Sequence, residues 1–478
     1  MEKDLSKEGV RTWPKIIQGG MGVAVSNWNL ARAVSLNGQM GVVSGTALDT
    51  VLIRRLQDGD KDGAMRRAIA AFPCQRMGEA IVRRWYREEG RGDKEAYELK
   101  PLPKVEMGRR EMELLIVAGF VEVFLAKEGH AGWVGINFLE KIQIPTLPTL
   151  LGAMLAGVDV VLVGGGIPLF IPSVLDAFAR FQRAEIKIHV QDASPEKAPR
   201  MSLDPQEFFP DFKACLARPL FFAIVSSEVL AKSLIRKLGS GISGLVVEHH
   251  VAGGHNAPPR RDDTYSERDE CDPRRIAALG KPFWLAGGQA SPAALQAALD
   301  CGAQGVQIGS AFACSDESGI LKSIKRATIQ AYRDGVLKWV TDFKASPTGY
   351  PFKRVLMAGH SDSTDARAMC TLGYLRHVFE DVKGQIAYRC PASVKKVFYA
   401  KGGKPEAAEG KICLCNGLLA TVGLGQTKGD GTSERPLLTL GEDLSFLDAL
   451  LSPSKLSYSA DELIAYLTRG LPALARGA

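Results

Sequence analysis

A (β/α)8 (TIM) barrel with insertions and a separate C-terminal region is the fold class predicted by the sequence, on three observations. Short apolar runs ending in Gly, Ser or Asn recur eight times. Most of them lead into a stretch of helical periodicity. The runs are apolar at consecutive positions, not alternate ones, as in parallel strands covered on both faces. Eight such units close a ring more naturally than they extend an open sheet. Periodicity does not show closure, so a doubly wound open sheet is the competing arrangement.

The units follow in order. IIQGGM (16–21) precedes NWNLARAVSLNG, and GVVSG (41–45) precedes ALDTVLIRRLQDG. VGINFLE (134–140) leads to LPTLLGAMLAG, and DVVLVGGG (159–166) to IPSVLDAFARFQ. FFAIVSS (221–227) leads to EVLAKSLIRKLG. GLVVEHH (244–250) opens the loop AGGHNAPPR. PFWLAGG (282–288) leads to SPAALQAALDCG, and GVQIGSAF (305–312) to a long helical stretch. Three insertions interrupt the series: a charged, helical one at about 60–130, a hairpin at about 185–217, and a polar loop at 256–275. The barrel is expected over 14–335. The alternation then stops, and 336–478 reads as a mostly helical accessory region.

Composition narrows the class. Of 478 residues, 46% are hydrophobic and 24% charged, ordinary values for a chain that buries a large core. Fifty glycines point to tight turns or backbone-lined ligand loops. The net charge of +7 is small for this length, and no basic arm with interleaved aromatics implies nucleic acid. Asp159 and a glycine run break the longest apolar stretch, 150–170, so no membrane span is expected. Nine scattered cysteines and the absence of a signal-type segment suggest a reducing, cytoplasmic setting.

The candidate site lies on the loops after the strands, where barrels place their chemistry. Gly287 and Gly288 end one run; Gly309 and Ser310 end the next. Bare backbone N–H groups there suit a phosphate, although glycines also simply make turns. Asn137 ends its run and offers an amide donor and acceptor, either for a flavin's pyrimidine edge or for capping the next turn. Gln18 has the same two readings. His255 follows Gly253 and Gly254 at the barrel mouth, where a neutral imidazole is a competent base. His249 and His250 adjoin it, but neighbours on a strand point to opposite faces, so no metal is expected there. Cys413 and Cys415, with Cys370 and Cys390, match no paired CxxC pattern and read as free thiols.

These blocks resemble the nitronate monooxygenase (2-nitropropane dioxygenase) family, whose barrel is shared by flavin-type enoyl-thioester reductases. IIQGGMGVAVSNWNLARAV, GINFLEKIQ, AGGHNAPPR, FWLAGGQASP and GVQIGSAF carry the resemblance over 14–335. SPTGYPFK (346–353) and CLCNGLLATVGLG (413–425) resemble the family's longer branch. The resemblance implies non-covalent FMN. Gln18, Gly19, Gly20 and Met21 would lie near the flavin with Gly253 and Gly254, Asn137 would hydrogen-bond it, and Gly287, Gly288, Gly309 and Ser310 would hold its phosphate. His255 matches the family's catalytic histidine, which takes the α-proton of a neutral nitroalkane.

Two departures touch the substrate side. NAPPR follows AGGH where a small glycine motif is usual, and Ser226 stands where some members have lysine. The implied activity is FMN-dependent oxidation of alkyl nitronates by O2 to carbonyl compounds and nitrite. Its alternatives are an NAD(P)H-dependent enoyl-thioester or quinone reductase and a flavin-binding partner of a biosynthetic complex. The expected partners are a small-molecule substrate, O2 and a second copy of the chain.

Overall fold

A computed structural model describes residues 12–193, 198–261, 264–357, 369–429 and 431–471. Parts of the sequence readings at the N-terminus, in two of the insertions and in the C-terminal region lie outside these residues.

All eight apolar runs form strands. They are β1 (Ile16–Gln18), β2 (Gly41–Ser44), β3 (Val134–Leu139) and β4 (Val160–Gly164). After a hairpin of β5 (Ala184–Lys187) and β6 (Arg200–Leu203) come β7 (Leu220–Val225) and β8 (Gly244–Glu248). A two-residue strand, β9 (Gly254–His255), precedes β10 (Phe283–Ala286) and β11 (Gly305–Ile308). The eight long-expected strands form one parallel sheet in the order β1-β11-β10-β8-β7-β4-β3-β2. A parallel bridge from Ile17 to Met40 joins its two ends. Gln18 N–H donates to Met40 O at 2.9 Å, and Met40 N–H to Ile16 O at 3.0 Å. The ring rules out the open sheet.

Side-chain alternation divides this ring into two cores. Ile17, Val42, Val160, Leu162, Phe222, Val246 and Trp284 fill the barrel. Their strand neighbours Val161, Val163, Phe221, Ala223, Leu245, Val247 and Val306 face the surrounding helices. This is why the runs are apolar at every position. The barrel's lower end is plugged by aromatics: Trp13 stacks on Trp133 at 5.7 Å and meets Trp284 edge-on at 5.6 Å. The Trp284 indole donates to Pro14 O at 2.9 Å.

The insertion at 60–130 holds helices Ala64–Ala70, Gln75–Trp85 and Arg109–Lys127. Residues 86–108 between the last two are not helical. The hairpin is antiparallel, pairing Ala184 with Leu203.

The C-terminal region differs from the expected mostly helical one. Among the described residues it contains five short helices and four strands, with much irregular chain. The strands are β12 (Lys338–Asp342), β13 (Phe352–Leu356), β14 (His377–Glu380) and β15 (Ile386–Arg389). β12 and β13 pair antiparallel, and β13 continues onto β9, placing Phe352 opposite His255. This region therefore extends a sheet that begins at the barrel mouth. It is also tied to the barrel helix Leu48–Gln57: Tyr374 OH lies 2.6 Å from Thr50 Oγ1, and the Arg54 guanidinium donates to Leu424 O. No helix among the described residues is long and apolar enough to cross a membrane.

Candidate active site

The upper ends of the strands floor a large cavity, and alternation decides which residues reach it. Asn137, Gly164, Ile224, Glu248, Ala286 and Gln307 share the inward phase and line it. Gln18 has the outward phase, that of Ile16. It is fully buried beneath the first loop, where its Nε2 donates to Ser26 Oγ at 2.7 Å and its Oε1 accepts from Val42 N–H at 3.0 Å. It is not among the residues lining the cavity and supports the first loop from beneath. Asn137 also differs from expectation: it lies inside β3, not at its end, and its Nδ2 lies 3.4 Å from Leu162 O.

The structure brings the remaining candidates together. Gly19, Gly20, Met21, Asn137, Gly253, Gly254, His255, Gly287, Gly288, Gly309 and Ser310 all line this cavity. Gly20 is bare for a steric reason: a Cβ there would lie 2.2 Å from Asn137 Cβ. Gly253 is bare because the C-terminal chain crosses it; a Cβ would lie 2.7 Å from the Leu440 carbonyl carbon. Ser310 opens the short helix Ser310–Ala313, and its hydroxyl accepts from Gly441 N–H at 2.7 Å.

The C-terminal region roofs the cavity with Phe352, Tyr374, Leu375, Leu414, Cys415 and residues 439–441. Lys353, just beyond Phe352, is buried and bonds the Glu442 carboxylate in this roof. The sequence reading missed the roof, together with Glu248 and Gln307. The latter two were legible in principle, being two residues beyond Val246 and Gly305 on inward-facing strand positions.

His255 is enclosed. Its Nε2 lies 2.7 Å from Ser346 Oγ, and its ring meets Phe352 edge-on at 4.8 Å. Burial holds its pKa down at about 4, so the ring is neutral at pH 7. Glu248 lines the same cavity beside apolar Ala286, with Ile224 on the neighbouring strand. Burial pushes its carboxyl up to about 7.

A side chamber adjoins the cavity. Gly165, Ile224, Glu248 and His255 line both spaces. The chamber continues past His249, His250, Asn256, Arg260 and Tyr265. His249 and His250 do not point to opposite faces as a strand would require. They follow β8 in a turn, their rings lie 4.1 Å apart, and His250 stacks on Tyr265 at 4.2 Å. Among the described residues, His250 Nδ1 and Asn256 Oδ1 are buried without hydrogen-bond partners. Ser226 also lines this chamber.

Residues 215–388 match the nitronate monooxygenase family model. The match covers about a third of the chain, so the likeness to nitronate monooxygenases is that of this segment. The chain is an oxidoreductase in class. The match runs from β7 through β15 and includes His255 and the paired-glycine loops, but ends before the roof segments at 414–443. A comparison with curated proteins finds no match. Among solved structures, FabK from Thermotoga maritima is similar at 15% identity and a TM-score of 0.47, over 95% of this chain and 92% of that one. Nitroalkane oxidase from Streptomyces ansochromogenes is similar at 14% identity and 0.43, over 95% and 96%. The enoyl reductase domain of MlnA from Bacillus amyloliquefaciens is similar at 12% and 0.36, over 72% and 64%.

The cavity suits a flavin. Gln307 Oε1 is buried without a partner among the described residues and so calls for a ligand donor. Asn137 adds an amide, and the bare glycine backbones leave room for a planar ring. The thiols of the CLC pair are held protonated by burial, Cys413 at about 11 and Cys415 well above the usual thiol range. Among the described residues, no group of three or more His, Cys, Asp and Glu is arranged to hold a metal ion.

Proposed function

We propose that the chain binds FMN at the barrel mouth and uses NAD(P)H to reduce an electron-poor carbon–carbon double bond, as in an enoyl thioester. The observation that carries this reading is the side chamber opening from the cofactor cavity at Glu248 and His255. Its partnerless His250 Nδ1 and Asn256 Oδ1 suit a substrate with a polar arm beyond the reacting carbons, which a short alkyl nitronate lacks.

FMN, when bound, supplies reversible hydride transfer. Gly19, Gly20 and Met21 would lie along its ring, with Asn137 and Gln307 hydrogen-bonding the ring's polar edge. Gly287, Gly288, Gly309 and Ser310 would hold the phosphate. The roof would screen the reacting face from bulk water. Neutral His255, fixed by Ser346, would orient the substrate as a hydrogen-bond partner. The nine unpaired cysteines support a cytoplasmic setting.

A second reading, oxidation of nitronates with O2, is favoured by the family match over the His255 loop. Anaerobic mixing separates the two. The reductase reading expects NADH or NADPH to bleach the flavin and crotonyl thioester to restore its colour. Bleaching by a nitronate but not by either nicotinamide would replace it with the oxidase reading.

A further inference from the structure

We infer that Glu248 is a catalytic residue whose carboxyl exchanges a proton with the substrate carbon held where the two chambers meet. This rests on the oxidoreductase reading above but not on the direction of the reaction.

The argument begins from strand phase. Glu248 is the last residue of β8, on the inward face shared with Val246, and pairs in register with Ala286 of β10. Its carboxyl therefore stands above an apolar floor. It lines both chambers, and no ion pair or hydrogen bond to its side chain is found among the described residues. A carboxyl in such a place is costly when charged and has no structural bond to maintain. Groups shifted in this way cluster at functional sites. The charged or titratable groups sharing its chamber walls are His249, His250, His255, Arg260, Asp269 and Asp443, with Tyr265, Tyr350, Tyr374 and Cys415. None of them is a source of the upward shift, which comes from burial.

His255 is the obvious rival. Its Nε2 is engaged by Ser346, and burial leaves it a weak base and a poor source of protons near neutral pH. Glu248, with a value near 7, is poised to give or take a proton.

In the reductive direction a bound flavin would supply a hydride to the β-carbon of an enoyl thioester, and the C=C π pair would move to the α-carbon. That carbon forms a C–H bond with the carboxyl proton as the Glu248 O–H bond breaks. NAD(P)H supplies the electron pair, and water returns a proton to the carboxylate. With a neutral nitroalkane the proton moves the other way: the carboxylate takes it from the α-carbon and leaves a nitronate.

Glu248→Gln tests this, with Glu248→Asp as a variant that keeps the acid. Flavin content is measured first and should match wild type. Infrared difference spectra between about pH 5.5 and 8.5 should show a protonated-carboxyl band in wild type that is missing from Glu248→Gln. Its absence from wild type overturns the inference. With crotonyl thioester, Glu248→Gln should slow reoxidation of the reduced flavin by about 10²–10⁴-fold and leave reduction by NADPH within about twofold. Glu248→Asp should recover part of the loss. If wild type instead oxidises nitroethane, the reductase reading fails, yet Glu248→Gln must still lose turnover of the neutral form and spare that of the nitronate. Wild-type rates in Glu248→Gln overturn the inference in either case, and a wild type that reacts with neither substrate overturns both proposals.

Discussion

Ser346 Oγ stands 2.7 Å from His255 Nε2, so the histidine of the barrel mouth is fixed by a residue 91 positions later, in the C-terminal region. The same hydroxyl lies 2.8 Å from Thr348 Oγ1, and Lys411 Nζ donates to the Ser346 carbonyl at 2.9 Å. Ser346→Ala should therefore release the imidazole without disturbing the phosphate loops. One such hydrogen bond is worth about 1 kcal/mol. The expected result is a fall of roughly fivefold in kcat with unchanged flavin content, read by steady-state kinetics and absorbance. Loss of flavin in this variant would mean that Ser346 supports the fold more than the ring.

Gly20→Ala places a Cβ against Asn137, 2.2 Å from its Cβ. Relief requires the first loop or Asn137 to move, and overpacking of this kind costs about 1–3 kcal/mol. Both sides of the contact line the cavity, so flavin affinity should fall together with thermal stability. Titration of cofactor-free protein with FMN, followed by fluorescence quenching, checks the first effect and a melting curve the second.

The Lys353–Glu442 pair is asymmetric: the lysine is 1% exposed and the glutamate 50%. Glu442→Ala leaves a buried ammonium without its carboxylate, at a cost of about 2 kcal/mol. Lys353→Met removes the buried charge and leaves an exposed carboxylate, so it should cost less. Urea melts of the two variants should fall in that order, and the reverse order would contradict the assignment of burial.

Stability should depend on pH through two groups acting in opposite directions. Below the ordinary value of 4.5, Glu248 is protonated whether the chain is folded or not. As the pH rises through 4.5 toward the folded value of about 7, the unfolded chain ionises first, and the fold loses up to about 3 kcal/mol. His255 is neutral in both states above its ordinary value of 6.5. Its contribution is lost as the pH falls from there through the folded value of about 4. Cofactor-free Glu248→Gln should therefore melt above wild type by a margin that grows between about pH 5 and 8. A constant margin would show that the carboxyl is not held protonated.

Cys215 is exposed, whereas burial pushes the thiols of Cys314, Cys390, Cys413 and Cys415 upward. A thiolate reagent at pH 8 should modify Cys215 first and reach the CLC pair only after denaturation. Mass spectrometry of partly labelled protein identifies the order.

The barrel was legible because each strand is a local apolar run with a breaker behind it. Gln18 was misplaced because a three-residue strand gives too little sequence to fix its phase, and one step turns a cavity residue into a buried support. Asn137 kept its phase although its strand ran two residues further. Glu248 was hidden by the histidine pair that follows it. The roof left little local signal, since β9 has two residues and finds its partner about a hundred positions later. The chain KWVTD and FKRVL shows no helical stripe, but short strands at such separation are recognised only once they are paired.

The roof has a consequence for how the molecule is made. Translation completes the eight-stranded cup before it supplies Leu414, Cys415 and the 439–441 strip that cover its mouth. A nascent chain at that stage presents an open bowl to the cell, with its glycine-lined floor exposed. Docking of the final segments is then the step that covers the mouth, and a premature stop codon late in the message would remove both that cover and the part of the outer core that Leu440, Phe446 and Leu463 supply.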